Sequence, residues 1–262
     1  MKTFLNRCFL TALLLTAFGL TAAAQSAPAT PRAGAEPTKS FLQLNLVYPP
    51  EALKAGLNGN VVVAFHLDEN GEGSDYRIKE SFCEAANAQA LDLVRKLLWD
   101  PATELMKPVA CEMEFPIEYK VKNYKRYWKR HERVTVPLTL EADTSYRIYD
   151  KYQLDELAKP YFADGSTLAN YILNELRYPD AARAGEIQGT VRLSFVVETD
   201  GAVSNSLIEE SVGGGCDNEA IRLLEATRWI PAVKNGQYVR SVNEEDITFR
   251  FGARNYQDGH SY

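Results

Sequence analysis

Two stretches of this 262-residue chain are one pattern written twice, 130 positions apart and without a gap across about fifty residues. Tyr48-Pro49 returns as Tyr178-Pro179, Ala52 as Ala182, Gly59 as Gly189, Val61 as Val191 and Phe65 as Phe195. The register holds through Gly71/Gly201, Ser81/Ser211, Ala90/Ala220, Trp99/Trp229, Pro101-Ala102/Pro231-Ala232, Val109/Val239 and Ile117/Ile247. A long period with only two copies excludes a solenoid and predicts two tandem domains.

Within each copy the hydrophobic period changes along the chain. Val61, Val63, Phe65 and Leu67 alternate with other residues, as in a strand with one buried face. Asp68-Glu69-Asn70-Gly71 supplies a hairpin turn, and a second strand is expected at about Asp75 to Lys79. Leu91, Val94, Leu97 and Leu98 predict a helical stripe leading into Trp99. Val109, Cys111, Met113, Phe115, Ile117 and Tyr119 then alternate with Glu112, Glu114, Pro116 and Glu118 in a last strand. In the second copy Val191, Leu193, Phe195 and Val197 face inward, Asp200-Gly201 turns, Ala220, Ile221 and Leu224 line the helix, and Ile247, Phe249 and Phe251 close the sheet. The expectation is an α+β fold of two tandem two-layer domains. Each is an antiparallel sheet of about three strands, in the order β-β-α-β, with helices on one face.

Outside the copies, Lys2 and Arg7 precede an uncharged run from Phe9 to Ala24, the pattern of a cleaved secretory signal over residues 1–24. The alternative is a retained inner-membrane anchor, for which sixteen residues are short. Removing that segment takes two cations from a chain of formal charge −6 and leaves −8, which argues against nucleic-acid binding. Residues 25–39 have the Ala, Pro, Ser and Thr composition of a flexible linker. The domains are expected at 40–120 and 160–255. Residues 121–159 form a connector, basic and aromatic from Tyr119 to Arg133, with an extra strand over Val134 to Leu140. That basic stretch suits either contact with an anionic surface or glycan, or packing of its aromatics on the first domain.

Catalytic and metal signals are absent from the sequence pattern, and no enzymatic activity, metal or cofactor is expected. His66, His131 and His260 match no zinc spacing. Asp68-x-Asn70-x-Glu72-Gly73 begins like a calcium loop, but Lys79 stands where the closing Glu belongs, so a turn is expected. Gly213-Gly214-Gly215 lacks the Lys-Ser/Thr pair of a phosphate loop, and Asp217 reads as a helix N-cap. Cys216 at that helix start reads as a small, partly buried residue. Cys83 and Cys111 are either bridged or free.

The ordered set Tyr-Pro-x-x-Ala…Gly-x-Val…Phe…Gly…Ser…Ala…Trp-x-Pro-Ala resembles the C-terminal domain of the TonB family. The second copy is the fuller match, with Phe162-x-x-Gly165 upstream and Gly215-Cys216-Asp217 before the helix; the first has no counterpart of Phe162-x-x-Gly165. The resemblance implies a periplasmic protein whose domain binds the TonB box, a short peptide of outer-membrane TonB-dependent receptors, by adding it as a strand. With a retained N-terminus it also implies contact with ExbB–ExbD as a short energy transducer. A different class is a structural protein holding cell wall or membrane. Strand addition needs free backbone groups on a sheet edge. Pro116 removes a donor from the last strand of the first copy, whereas the matching Asp246 keeps its N–H. The expected peptide site is therefore Asp246, Ile247, Thr248, Phe249, Arg250 and Phe251, with Tyr178 and Pro179 beside it. Such edges also make a homodimer conceivable.

Overall fold

A computed structural model describes residues 26–129 and 134–251. The signal segment, Cys8, Arg130, His131, Arg133 and His260 lie outside the described residues.

The first copy opens with β1 (Thr30–Pro31), α1 (Ala35–Asn45) and α2 (Pro50–Ala55). Strands β2 (Gly59–Leu67) and β3 (Gly73–Ser81) follow, then α3 (Asn87–Lys96), β4 (Trp99–Asp100), β5 (Ala102–Glu104), β6 (Lys107–Val109) and β7 (Cys111–Tyr119). Its antiparallel sheet has the order β3-β2-β7. The connector supplies α4 (Val121–Trp128), β8 (Ile148–Tyr149) and β9 (Lys159–Tyr161). The second copy comprises α5 (Leu168–Glu175), α6 (Asp180–Ala184), β10 (Gly189–Val197), β11 (Val203–Glu210), α7 (Cys216–Glu225), β12 (Arg228–Ile230), β13 (Ala232–Lys234) and β14 (Gln237–Phe249). Its sheet runs β11-β10-β14-β13, with β8 added parallel to β14. The α+β class holds, and the second sheet is wider than three strands because β13 joins it and the connector donates β8.

The paired motifs acquire physical reasons here. Gly71 and Gly201 have φ of 82° and 80°, and a side chain at either would stand 2.2 Å from the carbonyl oxygen of Trp99 or Trp229. Each glycine lets a β-hairpin turn press against the backbone of its tryptophan. Tyr48 donates its hydroxyl to the Leu57 carbonyl, and Tyr178 does the same to Ile187 at 2.5 Å. Ser81 Oγ donates to Asn87 Oδ1 and Ser211 Oγ to Asp217 Oδ2, both at 2.6 Å.

Several sequence expectations are corrected. Residues 35–39, read as linker, belong to α1, which is held by buried Phe41 and Thr38; Thr38 Oγ1 donates to the Gly34 carbonyl at 2.7 Å. The first copy thus has an opening helix despite lacking the Phe-x-x-Gly element. The buried face of α3 is Ala90, Leu93 and Val94, while Leu97 lies just past the helix and Leu98 beyond it. The basic-aromatic stretch is helical over α4. Its Tyr124 lies 5.3 Å from Tyr48, so that aromatic packs on the first copy. Val134 to Leu140 forms no strand; one residue of it, Val136, is buried, against the Gly201 turn.

The two copies are joined through a buried polar network. Arg240, 4% exposed, grips Glu198, 0% exposed, through two bonds of 2.8 Å. Arg240 also donates to the carbonyl of Lys96, the last residue of α3, at 2.7 Å, and to that of Tyr146 at 2.8 Å. Asn205 donates to the same Lys96 carbonyl at 2.8 Å and accepts from Leu98 N at 2.8 Å. The first copy's helix C-terminus is thereby capped by the second copy, which satisfies carbonyls that a helix end leaves unpaired. Burial disfavours the charge on Lys96, yet the carboxylates of Asp200, Glu198 and Asp92 outweigh that and hold its pKa above the ordinary lysine value. In the middle of β11, Ser204 and Ser206 are 0% and 1% exposed. Their counterparts in β3, Ser74 and Tyr76, are exposed and half-buried.

Candidate functional site: the outer edge of the last strand

The site is built on β14, one of whose edges pairs with β10 without interruption from Gly189↔Phe249 to Val197↔Ser241. On the other edge, β13 pairs with Gln237 to Val239 and β8 with Arg240 and Ser241. From Val242 to Phe249 that second edge meets no strand among the described residues. Strand period 2 then divides the side chains. Ile247 and Phe249 are buried in the core, while Asp246, Thr248 and Arg250 are exposed. Asp246 accepts from Arg192 Nε at 3.0 Å, and Arg192 Nη1 reaches Glu210 at 2.5 Å, so the outer face carries a charge ladder across three strands. Thr248 and Thr190 share a hydroxyl contact of 2.9 Å.

Beyond the strand the chain turns back onto Tyr178. Phe251, 40% exposed, stacks on its ring at 4.9 Å, and Phe249 meets the same ring edge-on at 5.9 Å. Phe251 N donates to Gln188 Oε1 at 3.0 Å. Tyr178, Phe249 and Phe251 therefore form one aromatic cluster at the end of the open edge. Burial pushes the Tyr178 hydroxyl above the usual tyrosine range. Pro179 is turned toward the glycine loop, where a side chain at Gly215 would come within 3.2 Å of it.

In the first copy the matching edge is different. Pro116 pairs with Val62 inside an uninterrupted ladder. A proline is accommodated there only where its nitrogen faces away from the partner strand, toward the outer edge. That edge is also flanked. Residues of α1 and α4, with Pro116, Ile117 and Glu118, line a groove of about 400 Å3 beside it. No counterpart of α4 follows β14 among the described residues.

The alternative chemistries find no support in the geometry. Cys216 is fully buried, and burial pushes its thiol up, the opposite of an activated nucleophile. Asp217 accepts from Val212 N and Gly213 N at 3.0 and 3.4 Å, so it ties down the glycine loop instead of capping the helix; Gly215 is the N-cap of α7. Asp68 is engaged by Asn70 N and Glu72 N at 2.9 and 2.8 Å, as a turn residue. Among the described residues no group of three or more His, Cys, Asp and Glu could hold a metal ion, and Cys83, Cys111 and Cys216 are free.

The open edge begins before the expected Asp246 and ends at Phe249; Arg250 and Phe251, expected within it, lie past the strand. The strand runs from Gln237, and Val242 to Glu245 belong to the same unpaired edge. Their mixed polarity hid them, although Val242 at 41% exposure stands out as an apolar residue facing water.

The model of the Gram-negative bacterial TonB protein C-terminal family matches residues 45–121 and again residues 174–251. Among solved structures, the Pseudomonas aeruginosa TonB C-terminal domain is 23% identical, with a TM-score of 0.29, over 41% of this chain and 97% of that one. The Helicobacter pylori TonB C-terminal domain is 20% identical, with a TM-score of 0.24, over 32% of this chain and 77% of that one. No curated protein matches the sequence.

Proposed function

The chain belongs to the TonB C-terminal family, in two tandem copies, and from that premise we propose that its second copy captures short peptides of outer-membrane TonB-dependent receptors by strand addition. The peptide pairs with β14 over Val242 to Phe249 and supports energised nutrient transport from the periplasm. Backbone hydrogen bonds supply affinity, and side-chain contacts at alternate positions supply selection. Tyr178 and Phe251 offer an aromatic platform at one end of the peptide. Arg250 offers a cation there. The first copy is the structural partner, its edge blocked by Pro116 and flanked by α4.

The observation that carries this reading is the difference between two edges of common origin. One is an unpaired row of backbone groups; the other has a donor removed and a helix beside it.

The test is hydrogen exchange on the full chain, with and without a synthetic receptor-box peptide. Amides between Val242 and Phe249 that face the open edge, Asp246 among them, are expected to gain protection at least about tenfold at saturation, while those of Cys111 to Tyr119 stay unchanged. Protection confined to the first copy would overturn the assignment. A parallel pulldown on cell-wall sacculi tests the structural alternative, which requires retention there and none on the peptide.

A further inference from the structure

Helix α1 of the first copy serves two surfaces. It packs on β11 and α7 of the second copy. It also walls the groove beside β7, through Lys39, Leu42 and Gln43, opposite Pro116, Tyr124 and Tyr127.

The contact between α1 and α7 contains a carboxylic acid. Glu225 is 1% exposed, and neither of its oxygens has a hydrogen-bond partner among the described residues. Its polar neighbours are hydroxyls, Ser40 on α1 and Ser206 on β11. The charged and titratable groups on the surrounding elements are engaged elsewhere. Lys39 and Glu36 of α1 pair with each other at 3.4 Å, and Arg222 of α7 is held by Glu219 at 2.7 Å. Arg228 of β12 donates to the Thr227 carbonyl and to Asn45 Oδ1, and the Tyr127 phenol of α4 faces Glu225 electrostatically without a bond to it. The first copy has Arg95 at the matching position, over the ring of Tyr76 at 5.4 Å, so this acid belongs to the second copy alone.

The Ser40 and Ser206 hydroxyls favour the anion, but burial outweighs them, so this carboxyl is tolerated as the neutral acid and opposed as the anion. We propose that Glu225 is a proton-operated latch between the two copies: its neutral acid seats α1 on α7 and β11, and its ionisation loosens α1 and opens the groove that α1 walls. Burial pushes the Glu225 carboxyl up to about 7. In a released α1 the acid returns to the ordinary value of about 4.3. The sign follows from linkage. The seated form holds the extra proton, so docking is strongest below the lower value. It weakens as pH rises toward the higher one and is level above it.

An isolated helix of 11 residues is marginal in water, so release of α1 is read as loss of its amide protection. Hydrogen exchange of residues 38–45 in the full chain, corrected for intrinsic rates, is expected to show protection falling about tenfold or more from pH 5 to pH 7.5. In Glu225→Gln the same amides are expected to be flat over that range. An equal pH dependence in both proteins, or none in the wild type, would overturn the latch. A carbon-13 titration of the Glu225 carboxyl in the wild-type chain decides independently of the variant's folding: a midpoint near 7 supports the proposal, and one below 5 refutes it.

Discussion

Arg240→Ala is expected to destabilise the protein by about 3–5 kcal/mol, because it strips a fully buried carboxylate of the cation that forms its ion pair. Glu198 is 0% exposed and would keep a single side-chain donor, Ser204 Oγ at 2.5 Å. The Lys96 carbonyl would lose one of its two donors from the second copy, and the Tyr146 carbonyl would lose its bond as well. The measurement is denaturant unfolding, followed by the hydrogen exchange of α3 to locate the loss. The penalty of a broken buried pair is mostly the orphaned charge, so an apolar double replacement, Arg240→Met with Glu198→Leu, is expected to recover much of it. A single-variant loss under about 1 kcal/mol would mean that the copies are not held by this network.

Gly201→Ala is expected to cost about 2–4 kcal/mol, the sum of left-handed backbone strain and overpacking. Its φ is 80°, and the added carbon would meet the Trp229 carbonyl at 2.2 Å and Val136 Cγ2 at 3.0 Å. Backbone cannot yield there, since Trp229 N also donates to the Gly201 carbonyl at 2.9 Å. Gly236→Ala provides the comparison. Its φ is 75° with nothing within 4 Å of the added carbon, so only the strain remains, about 1 kcal/mol. Equal losses at the two positions would remove close approach as the reason for the repeated Gly and Trp.

Much of the fold is legible because its core obeys simple periods. Val191, Leu193, Phe195 and Val197 alternate and are all buried, and the Glu residues of β7 face water. What escapes the sequence is where polar residues are buried by a neighbour. Ser204, Asn205 and Ser206 are three successive polar residues of β11, all buried, and Asn205 bonds to Lys96 and Leu98 of the first copy. Arg240 stands where the first copy has Ala110, and Glu198 where it has Asp68. Divergence between matched positions was thus the available signal for the interface, and conservation between them was the signal for the fold. Helix α1 escaped for another reason. Its first residues, 35–39, have the composition of a linker, and its order comes from Phe41, Thr38 and the second copy rather than from helix propensity.

The candidate site was legible in one respect, the contrast between Pro116 and Asp246. The contribution of β8 was not, because Ile148 and Tyr149 pair with Arg240 and Ser241 from a connector without strand periodicity. That pairing sets where the open edge begins, at Val242. The edge is a backbone feature, so no side-chain pattern could report its length.

The central claim is that the outer edge of β14 receives a peptide through its backbone, and Asp246→Pro tests it most directly. The exchange removes one N–H from the unpaired edge and leaves the ladder to β10 in place, as Pro116 does in the first copy. By fluorescence anisotropy with a labelled receptor-box peptide, affinity is expected to fall at least about tenfold, with the unfolding midpoint changed little. Undiminished affinity in a folded Asp246→Pro protein would contradict the account.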